Sequence, residues 1–300
     1  ILAGHPKLFV TNDLQMLGFH NLKERKAALS KNYDRLLEET LLTMQAALRC
    51  DMGEAKRINE DYESGGTTTK EFYENLQRHI GDKIFVETSS TYALDFETLL
   101  KAEKDFRDAC YIHFINHPCS MMRSFRSSRL EQRLYLHKHP FNSRQLAELL
   151  WVIGHMNLEN FLFEVPQHRQ YRLRFEDLIS RPQEMITALC QRFGLSFFPD
   201  LIKPLENSLT DSMKASTVEP LGDAIQPPVF ENDQLSHITR EMAAAYGYDQ
   251  KTIRSRASKD TSPIRMSRNL NKRREFIDRQ RQRRMVHRKH MVQERKSYDR

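Results

Sequence analysis

The stretch YIHFINHPCSMMRSF, residues 111–125, decides the fold of this 300-residue chain. Together with the preceding Cys110, its first five residues are apolar except for one histidine and predict a buried strand over 110–115, which His117-Pro118 interrupts. Pro118 suits the first turn of a helix, so a helix that carries Ser124 is predicted to follow. A short, almost continuously apolar strand is typical of a parallel sheet that is covered on both faces.

The rest of the first 250 residues alternates helices and strands in the same way. Two further short strands are predicted, at 83–87 (KIFVE) and 170–175 (QYRLRF). Apolar residues at helical spacing and local caps predict helices over 21–49, 67–80, 95–106, 117–130, 143–165, 176–195 and 233–248. We therefore expect an α/β fold with a mainly parallel sheet flanked by helices, and a ligand site beyond the carboxyl ends of its strands, at 117–124.

The charge of the chain divides it into two parts. Residues 251–300 contain 18 Lys and Arg against 5 Asp and Glu, whereas residues 1–250 contain 29 against 35. The sequence thus predicts a domain over 1–250 and a basic extension, helical or disordered, over 251–300. Such an extension favours an anionic partner, and its composition does not choose between a nucleic acid, an anionic surface and an acidic protein.

Several classes of protein are disfavoured by the sequence. No apolar run approaches the eighteen residues of a membrane span, and the N-terminus has no signal-peptide pattern. The four cysteines lack metal-ligand spacing and are interpreted as buried thiols in a reducing compartment. We therefore expect a cytoplasmic protein without a metal site. The chain does not begin with Met, which favours a fragment.

Three other segments are candidates for chemistry. SGGTTTK (64–70) resembles a phosphate-binding loop, but no apolar strand precedes it, so we interpret the glycines as a linker and the threonines as helix caps. A histidine on a partly apolar helix, such as His155, is more often packed than catalytic, and both roles stay open. Glu176 and Asp177 are interpreted as caps of the helix that they begin.

Taken in order, several blocks of the chain resemble one family, the sulfotransferases that use 3'-phosphoadenosine 5'-phosphosulfate (PAPS). The resemblance is greatest to those found within or beside polyketide and peptide synthetases, and it covers residues 1–248. The blocks are AGHPKLFV, LKERKAAL, EFYENLQ, FVETSSTYALD, AEKDFRDACYIHFINHPCSMMRSF, AELLWVIGHMNLENFL and RLRFEDLISRPQEMITALCQRFGL.

The resemblance implies a P-loop nucleotide-kinase-like fold that transfers a sulfuryl group from PAPS to a hydroxyl, without a metal. In the family, an N-terminal strand, loop and helix bind the 5'-phosphosulfate, and this segment is missing ahead of LAGHP. The family binds the 3'-phosphate with the Arg of Arg-His-Pro and with a Ser on the next helix. These positions correspond here to Asn116 and Ser124.

Other family positions are also replaced. The family's Lys-Thr-Pro-Ser-Tyr segment begins here with Thr88, and its Pro-Pro-Glu-Leu-His segment is 11–15, where only Asp13 keeps a carboxylate. The resemblance thus implies Asp13 or His155, the latter in a His-x-Asn pattern, as the catalytic base, and Ser124, Asn116 and Thr88 as residues that bind the co-substrate. Replacing Arg by Asn at a phosphate costs about 2–4 kcal/mol of binding energy.

Two hypotheses follow from these matches and replacements. In the first, the protein transfers a sulfuryl group to a hydroxyl of a small-molecule or carrier-bound acceptor. In the second, it is a degenerate sulfotransferase fold that serves as a non-catalytic binding or scaffolding module. The replacements at 88, 116 and 15 favour the second hypothesis, and the intact blocks with Ser124 favour the first.

Overall fold

The computed structural model describes residues 1–11, 13–29, 33–89, 91–127, 141–205, 207 and 235–248. The strands are β1 (Leu8–Val10), β2 (Ile84–Val86), β3 (Tyr111–Ile115) and β4 (Gln170–Arg174). The helices are α1 (Leu22–Ala28), α2 (Tyr33–Leu48), α3 (Met52–Gly65), α4 (Thr69–Ile80), α5 (Phe96–Asp105), α6 (Pro118–Ser127), α7 (Ser143–Glu164), α8 (Phe175–Ser180), α9 (Pro182–Arg192) and α10 (His237–Ala245). The predicted basic extension lies outside the described residues.

Both strand ladders in this part of the chain are parallel, as predicted. β1 pairs with β2 in the register Leu8↔Ile84, and β3 pairs with β4 in the register Ile115↔Arg174. The described strands form two separate pairs rather than one continuous sheet. Ile84 on β2 and Phe114 on β3 are each about half exposed, at 50% and 49%, although apolar residues of a parallel sheet are usually covered on both faces.

Local signals placed several elements correctly. Thr68 and Glu71 form a capping box at the start of α4, and the Asp95 carboxylate accepts backbone N–H bonds at the start of α5. Pro118 occupies the first position of α6, and α7 ends within one residue of its predicted limit. The predictions of β2, β3 and β4 are confirmed to within one or two residues.

Two predicted helices are interrupted. The helix predicted over 21–49 is divided into α1 and α2, with 30–32 between them outside the described residues. The helix predicted over 176–195 is divided into α8 and α9 because Arg181 leaves the helical region, with φ −143° and ψ 58°, immediately before Pro182. The proline ring disfavours a helical conformation at the preceding residue, so α9 begins anew at Pro182.

The interpretation of Gly65 and Gly66 as a linker was wrong. They end α3, a polar helix that was not predicted, which begins after the N-cap Asp51. Gly66 has φ 68° and closes the helix in the left-handed conformation that glycine adopts without steric cost. The threonines after it do cap α4, as predicted, so this segment is a tight connection between two helices.

The core is divided among several apolar clusters, and α7 contacts three of them. Its residues pack with Leu99 of α5, with Phe125 of α6, and with Met242 of α10. In the N-terminal half, the buried Arg25 guanidinium donates to the Leu14 and Leu36 carbonyls and so fixes the segment after β1 against α2. These contacts hold the chain at the carboxyl ends of the strands, where the candidate site lies.

The cysteines differ from the prediction. All four are free thiols, but only Cys190 is buried, while Cys50 and Cys119 are partly buried and Cys110 is exposed. In the part of the chain that the structure describes, none of the helices is both long and apolar enough to cross a membrane. The described residues also bring together no group of three or more His, Cys, Asp and Glu that could hold a metal ion.

Candidate functional site

Two groups of polar residues lie at the carboxyl ends of the strands. The first, which we call the carboxylate edge, follows β1 and β2 and consists of Thr11, Asp13, Glu87, Thr88 and Ser89. Ser89 Oγ donates to Asp13 Oδ1 at 2.7 Å, and Thr88 Oγ1 donates to the Thr11 carbonyl at 3.3 Å. Since β1 and β2 are parallel neighbours, residues that are far apart in sequence meet here.

Asp13 is one of the two carboxylates of this edge. Gln15 Nε2 donates to its Oδ2 at 3.2 Å, so each carboxylate oxygen accepts one hydrogen bond from a neutral side chain. The residue is partly exposed. The two neutral donors orient the Asp13 carboxyl group, and a carboxyl group held in this way suits the role of a proton acceptor.

Glu87 is a second carboxylate at this edge, and it was not among the residues predicted from the sequence. The hydroxyls of Tyr73 and Tyr92 both donate to its oxygens, and the Met16 N–H donates to the Tyr92 hydroxyl at 2.8 Å. Burial, reinforced by the negative charge of Asp13, raises the pKa of Glu87 to about 7 despite the two hydroxyl donors. An acid directly after the apolar strand KIFV was the signal that could have identified it.

The second group, which we call the His117 corner, lies after β3 and β4. It consists of Asn116, His117, Arg174, Glu176 and Tyr248. The His117 N–H at the start of α6 donates to Glu176 Oε1 at 2.9 Å, and the Tyr248 hydroxyl donates to Glu176 Oε2 at 2.6 Å. Glu176, which follows β4, therefore accepts a hydrogen bond from a backbone N–H at the start of α6, which follows β3. Its predicted role as a cap of its own helix was wrong, because no side chain caps α8.

The His117 corner carries positive charge from two arginines. The Arg174 guanidinium lies 4.3 Å from the centre of the Tyr248 ring, and that ring packs against His117 with ring centroids 5.0 Å apart. Burial, followed by the charges of Arg174 and Arg123, lowers the pKa of His117 to about 4. His117 is consequently neutral near pH 7, and the cationic groups of the corner are the arginines.

The predicted co-substrate residues are divided between the two groups. Asn116 lies in the His117 corner, where its backbone carbonyl accepts a hydrogen bond from Trp151 Nε1 at 3.1 Å. Ser124 is exposed on α6, two turns beyond Asn116. Thr88 is exposed and belongs to the carboxylate edge, next to Asp13. Asn116 and Ser124 thus follow β3, whereas Thr88 follows β2 of the other strand pair.

His155 lies in the packed interior and not beside Asp13. Its Nδ1 is 2.8 Å from Nε2 of His113 on β3, and its ring contacts Trp151 and Tyr246. Burial, with the nearby charge of Arg172, lowers the pKa of His155 to about 3. These contacts are those of a packed histidine that joins α7 to β3.

Asn157, the other member of the His-x-Asn pattern, also makes a contact between elements. It is buried, and its Nδ2 donates at 2.9 Å to the carbonyl of Ala93, in the 3-10 turn Tyr92–Leu94. This turn follows the carboxylate edge and supplies the Tyr92 hydroxyl to Glu87. The pattern thus ties α7 to both strand pairs.

Comparison with known proteins identifies the relatives of this chain. A family model described as the sulfotransferase family matches residues 1–200. A solved sulfotransferase domain from the curacin biosynthetic pathway is 26% identical with a TM-score of 0.70, and the match covers 83% of this chain and 91% of that one. The sulfotransferase domain of the Synechococcus PCC 7002 olefin synthase has the same fold, with 24% identity, a TM-score of 0.70, and coverage of 83% and 88%. No curated protein matches.

Proposed function

This chain belongs to the sulfotransferase family, and from that premise we propose that it transfers a sulfuryl group from PAPS to the hydroxyl of an acceptor. The observation that carries the proposal is the His117 corner. It combines the start of a helix, at the carboxyl end of a parallel strand, with two nearby guanidinium groups. Phosphate esters commonly bind at such positions in α/β proteins.

The residues present fit the nucleotide end of PAPS by charge. Arg174 and Arg123 supply positive charge near His117, while Asn116 and Thr88 offer only neutral amide and hydroxyl donors. In this proposal Asn116 and Ser124 contact the 3'-phosphate, and Thr88 lies toward the sulfuryl group. The cationic groups would also stabilise the nucleotide phosphate as it departs.

The chemistry needs one proton acceptor. The acceptor oxygen forms a bond to sulfur, the bond between sulfur and the 5'-phosphate oxygen breaks, and that oxygen leaves with the electron pair. The proton of the acceptor hydroxyl passes to the carboxylate of Asp13, which Ser89 and Gln15 hold in place. His155 is the less favourable base because it is buried and bonded to His113.

The related structures suggest the type of acceptor. One is a domain from the curacin biosynthetic pathway and the other a domain from an olefin synthase. By analogy we propose a hydroxylated acceptor that is either a small molecule or is attached to a carrier protein, in a protein associated with such a synthase. The partly exposed position of Asp13 suits an acceptor that enters from solvent.

A non-catalytic binding module is the second candidate function. The observation that favours it is the absence of a cationic side chain at the two positions Thr88 and Asn116, where the resembled family has Lys and Arg. A fold that kept its core while losing these charges would bind the co-substrate weakly and would still offer a surface to partners.

Calorimetry with 3'-phosphoadenosine 5'-phosphate (PAP), the product nucleotide, separates the two functions. We expect saturable binding of PAP, and transfer of labelled sulfate from PAPS to at least one member of a panel of hydroxylated acceptors. If PAP shows no binding at about 1 mM, corresponding to about 4 kcal/mol of binding energy, the transferase proposal is overturned. Binding of PAP with no transfer to free or carrier-bound acceptors favours the binding module.

A further inference from the structure

We propose that Arg174 is the cationic ligand of the nucleotide 3'-phosphate, in a corner where the neighbouring strand ends in the neutral Asn116. The inference rests on the proposed function and adds a residue to it. Arg174 is the last residue of β4, and its ligand is the phosphate monoester at the 3'-position of an adenosine bisphosphate.

The strand register brings Arg174 to the right place. It pairs with Ile115, so it lies beside the end of β3, from which the chain passes directly to Asn116 and His117. Alternation along β4 puts Leu173 into the apolar core and Arg174 on the opposite face, toward Tyr248. The positive charge of Arg174 on β4 thus lies beside the residues at the end of β3.

Arg174 is held in one position by its neighbours. Its side chain is only 16% exposed, and the guanidinium stacks on the ring of Tyr248. Gly247, with φ 83°, lies so close that a Cβ atom there would be 3.1 Å from Arg174 Nη1. A guanidinium that is already ordered loses little further entropy when it binds a phosphate, and its planar fork matches two phosphate oxygens.

The charge of Arg174 is only partly neutralised within the protein. Asp177 Oδ2 is 3.5 Å from its Nε, and this buried Nε has no hydrogen-bond partner among the described residues. Glu176, the other nearby carboxylate, is occupied by the His117 N–H and the Tyr248 hydroxyl. Arg123 adds a second positive charge near His117, so the corner is cationic.

The test compares two nucleotides that differ only in the 3'-phosphate. Binding of PAP and of adenosine 5'-monophosphate is measured by calorimetry for the wild type and for Arg174→Gln. We expect Arg174→Gln to weaken PAP binding at least tenfold and to leave the affinity for adenosine 5'-monophosphate within about twofold. An equal effect on both nucleotides, or on neither, would overturn the proposal.

Arg172→Gln is the matched control. Arg172 lies on the same face of β4, but it pairs with Glu159 at 2.7 Å, away from the corner. We expect this variant to change the ratio of the two affinities by less than twofold. Asn116→Arg, introduced together with Arg174→Gln, places a guanidinium on the adjacent strand and is expected to restore PAP binding. Failure of that restoration contradicts the assignment of the phosphate to this corner.

The outcomes distinguish this inference from the proposed function. A wild type that does not bind PAP overturns the proposed function, whereas a wild type that binds PAP with an affinity ratio insensitive to Arg174→Gln overturns only the inference. If Arg174→Gln does not fold, Arg174→Lys takes its place, because lysine keeps the positive charge but lacks the planar guanidinium that can bind two phosphate oxygens. We then expect at least a threefold loss of PAP affinity and no change for adenosine 5'-monophosphate, and an unchanged PAP affinity contradicts the proposal.

Discussion

At the scale of single residues, Asp13 is the position where loss of one charge has the sharpest expected effect on transfer. Asp13→Asn keeps the shape of the side chain and removes the proton acceptor. We expect the rate of sulfuryl transfer to fall by about 10²–10⁴-fold, the usual contribution of a general base, with PAP affinity changed by less than twofold. The measurement is the transfer rate under saturating PAPS, beside calorimetry with PAP.

The control for Asp13→Asn is Asp200→Asn. Asp200 has an 80% exposed side chain that pairs only with the neighbouring Lys203 among the described contacts. We expect this variant to transfer at the wild-type rate. Full activity of Asp13→Asn would remove Asp13 as the base and return attention to other groups of the carboxylate edge, Glu87 first.

Because of the lowered pKa of His155, we expect the protein to lose stability in mild acid. Its pKa is about 3 in the folded protein and about 6.5 when unfolded, so the unfolded state takes up the proton first. Its contribution is fully present above pH 6.5 and falls by about 1.4 kcal/mol per pH unit below it. We expect His155→Gln to have a lower free energy of unfolding than the wild type at pH 7.5. Between pH 7.5 and 5.5, urea unfolding should show that the variant loses about 1 kcal/mol less of this free energy than the wild type does.

Different residues change the stability of the protein with pH in opposite directions. The contribution of His155 is therefore measured as the difference between the variant and the wild type. His117, with a pKa of about 4, acts in the same direction as His155. Glu87, with a pKa of about 7, acts oppositely, because the folded state takes up its proton first and the stability it contributes is lost as the pH rises from about 4.5 through 7. His168→Gln, at an exposed position of the 3-10 turn Gln167–Arg169, is measured beside His155→Gln as the control variant.

At the scale of secondary-structure elements, the start of α4 offers a direct test of a cap. Thr68→Ala removes the side-chain oxygen that accepts the Glu71 N–H. We expect a loss of about 1 kcal/mol in the free energy of unfolding, the usual value for a Thr N-cap. Ser64→Ala, in the last turn of α3, removes only a bond to carbonyls within its own helix and should be neutral. Equal stability of both variants would contradict the role of the capping box.

The elements that could be predicted from the sequence are those fixed by interactions between residues close together in the chain. The cap at Thr68 and the proline at Pro118 act within four residues, and both were placed correctly. α3 was missed because two of its three buried positions are the polar residues Asn59 and Glu63, so its apolar spacing is weak. Glu176 was misassigned because the N–H that it accepts belongs to another helix, 59 positions away in sequence. Such a contact depends on the pairing of β3 with β4, which the periodicity within either segment does not reveal.

At the scale of the whole molecule, the basic extension can be removed as a test of the domain boundary. Residues 251–300 have too few apolar residues to build a core. We expect deletion of 251–300 to change the melting temperature by less than about 2 °C, whereas deletion of 237–300 also removes α10, with buried Met242 and Ala243, and should destabilise strongly. A drop of more than about 5 °C for the shorter deletion would show that the extension contributes to the fold.

The candidate site was only partly accessible from the sequence. The resemblance identified the family, and the family model and the structural comparison confirm it. The sequence placed Asn116 and Thr88 just beyond predicted strands, as the structure has them, but β1, which precedes Asp13, was not predicted. The sequence could not show that His155 faces His113, or that Arg174 pairs with Ile115 beside Asn116, because these pairs join residues on different elements.

The two parallel ladders have a consequence for the time course of folding. Each ladder joins segments that are far apart in the chain, Leu8 with Ile84 and Tyr111 with Gln170, and several helices lie between the partners. Closing such loops costs chain entropy before any ladder bond forms, whereas a helix such as α7 closes only local contacts. We therefore expect most of the helical structure to form before the strands pair, so that the carboxylate edge and the His117 corner assemble last.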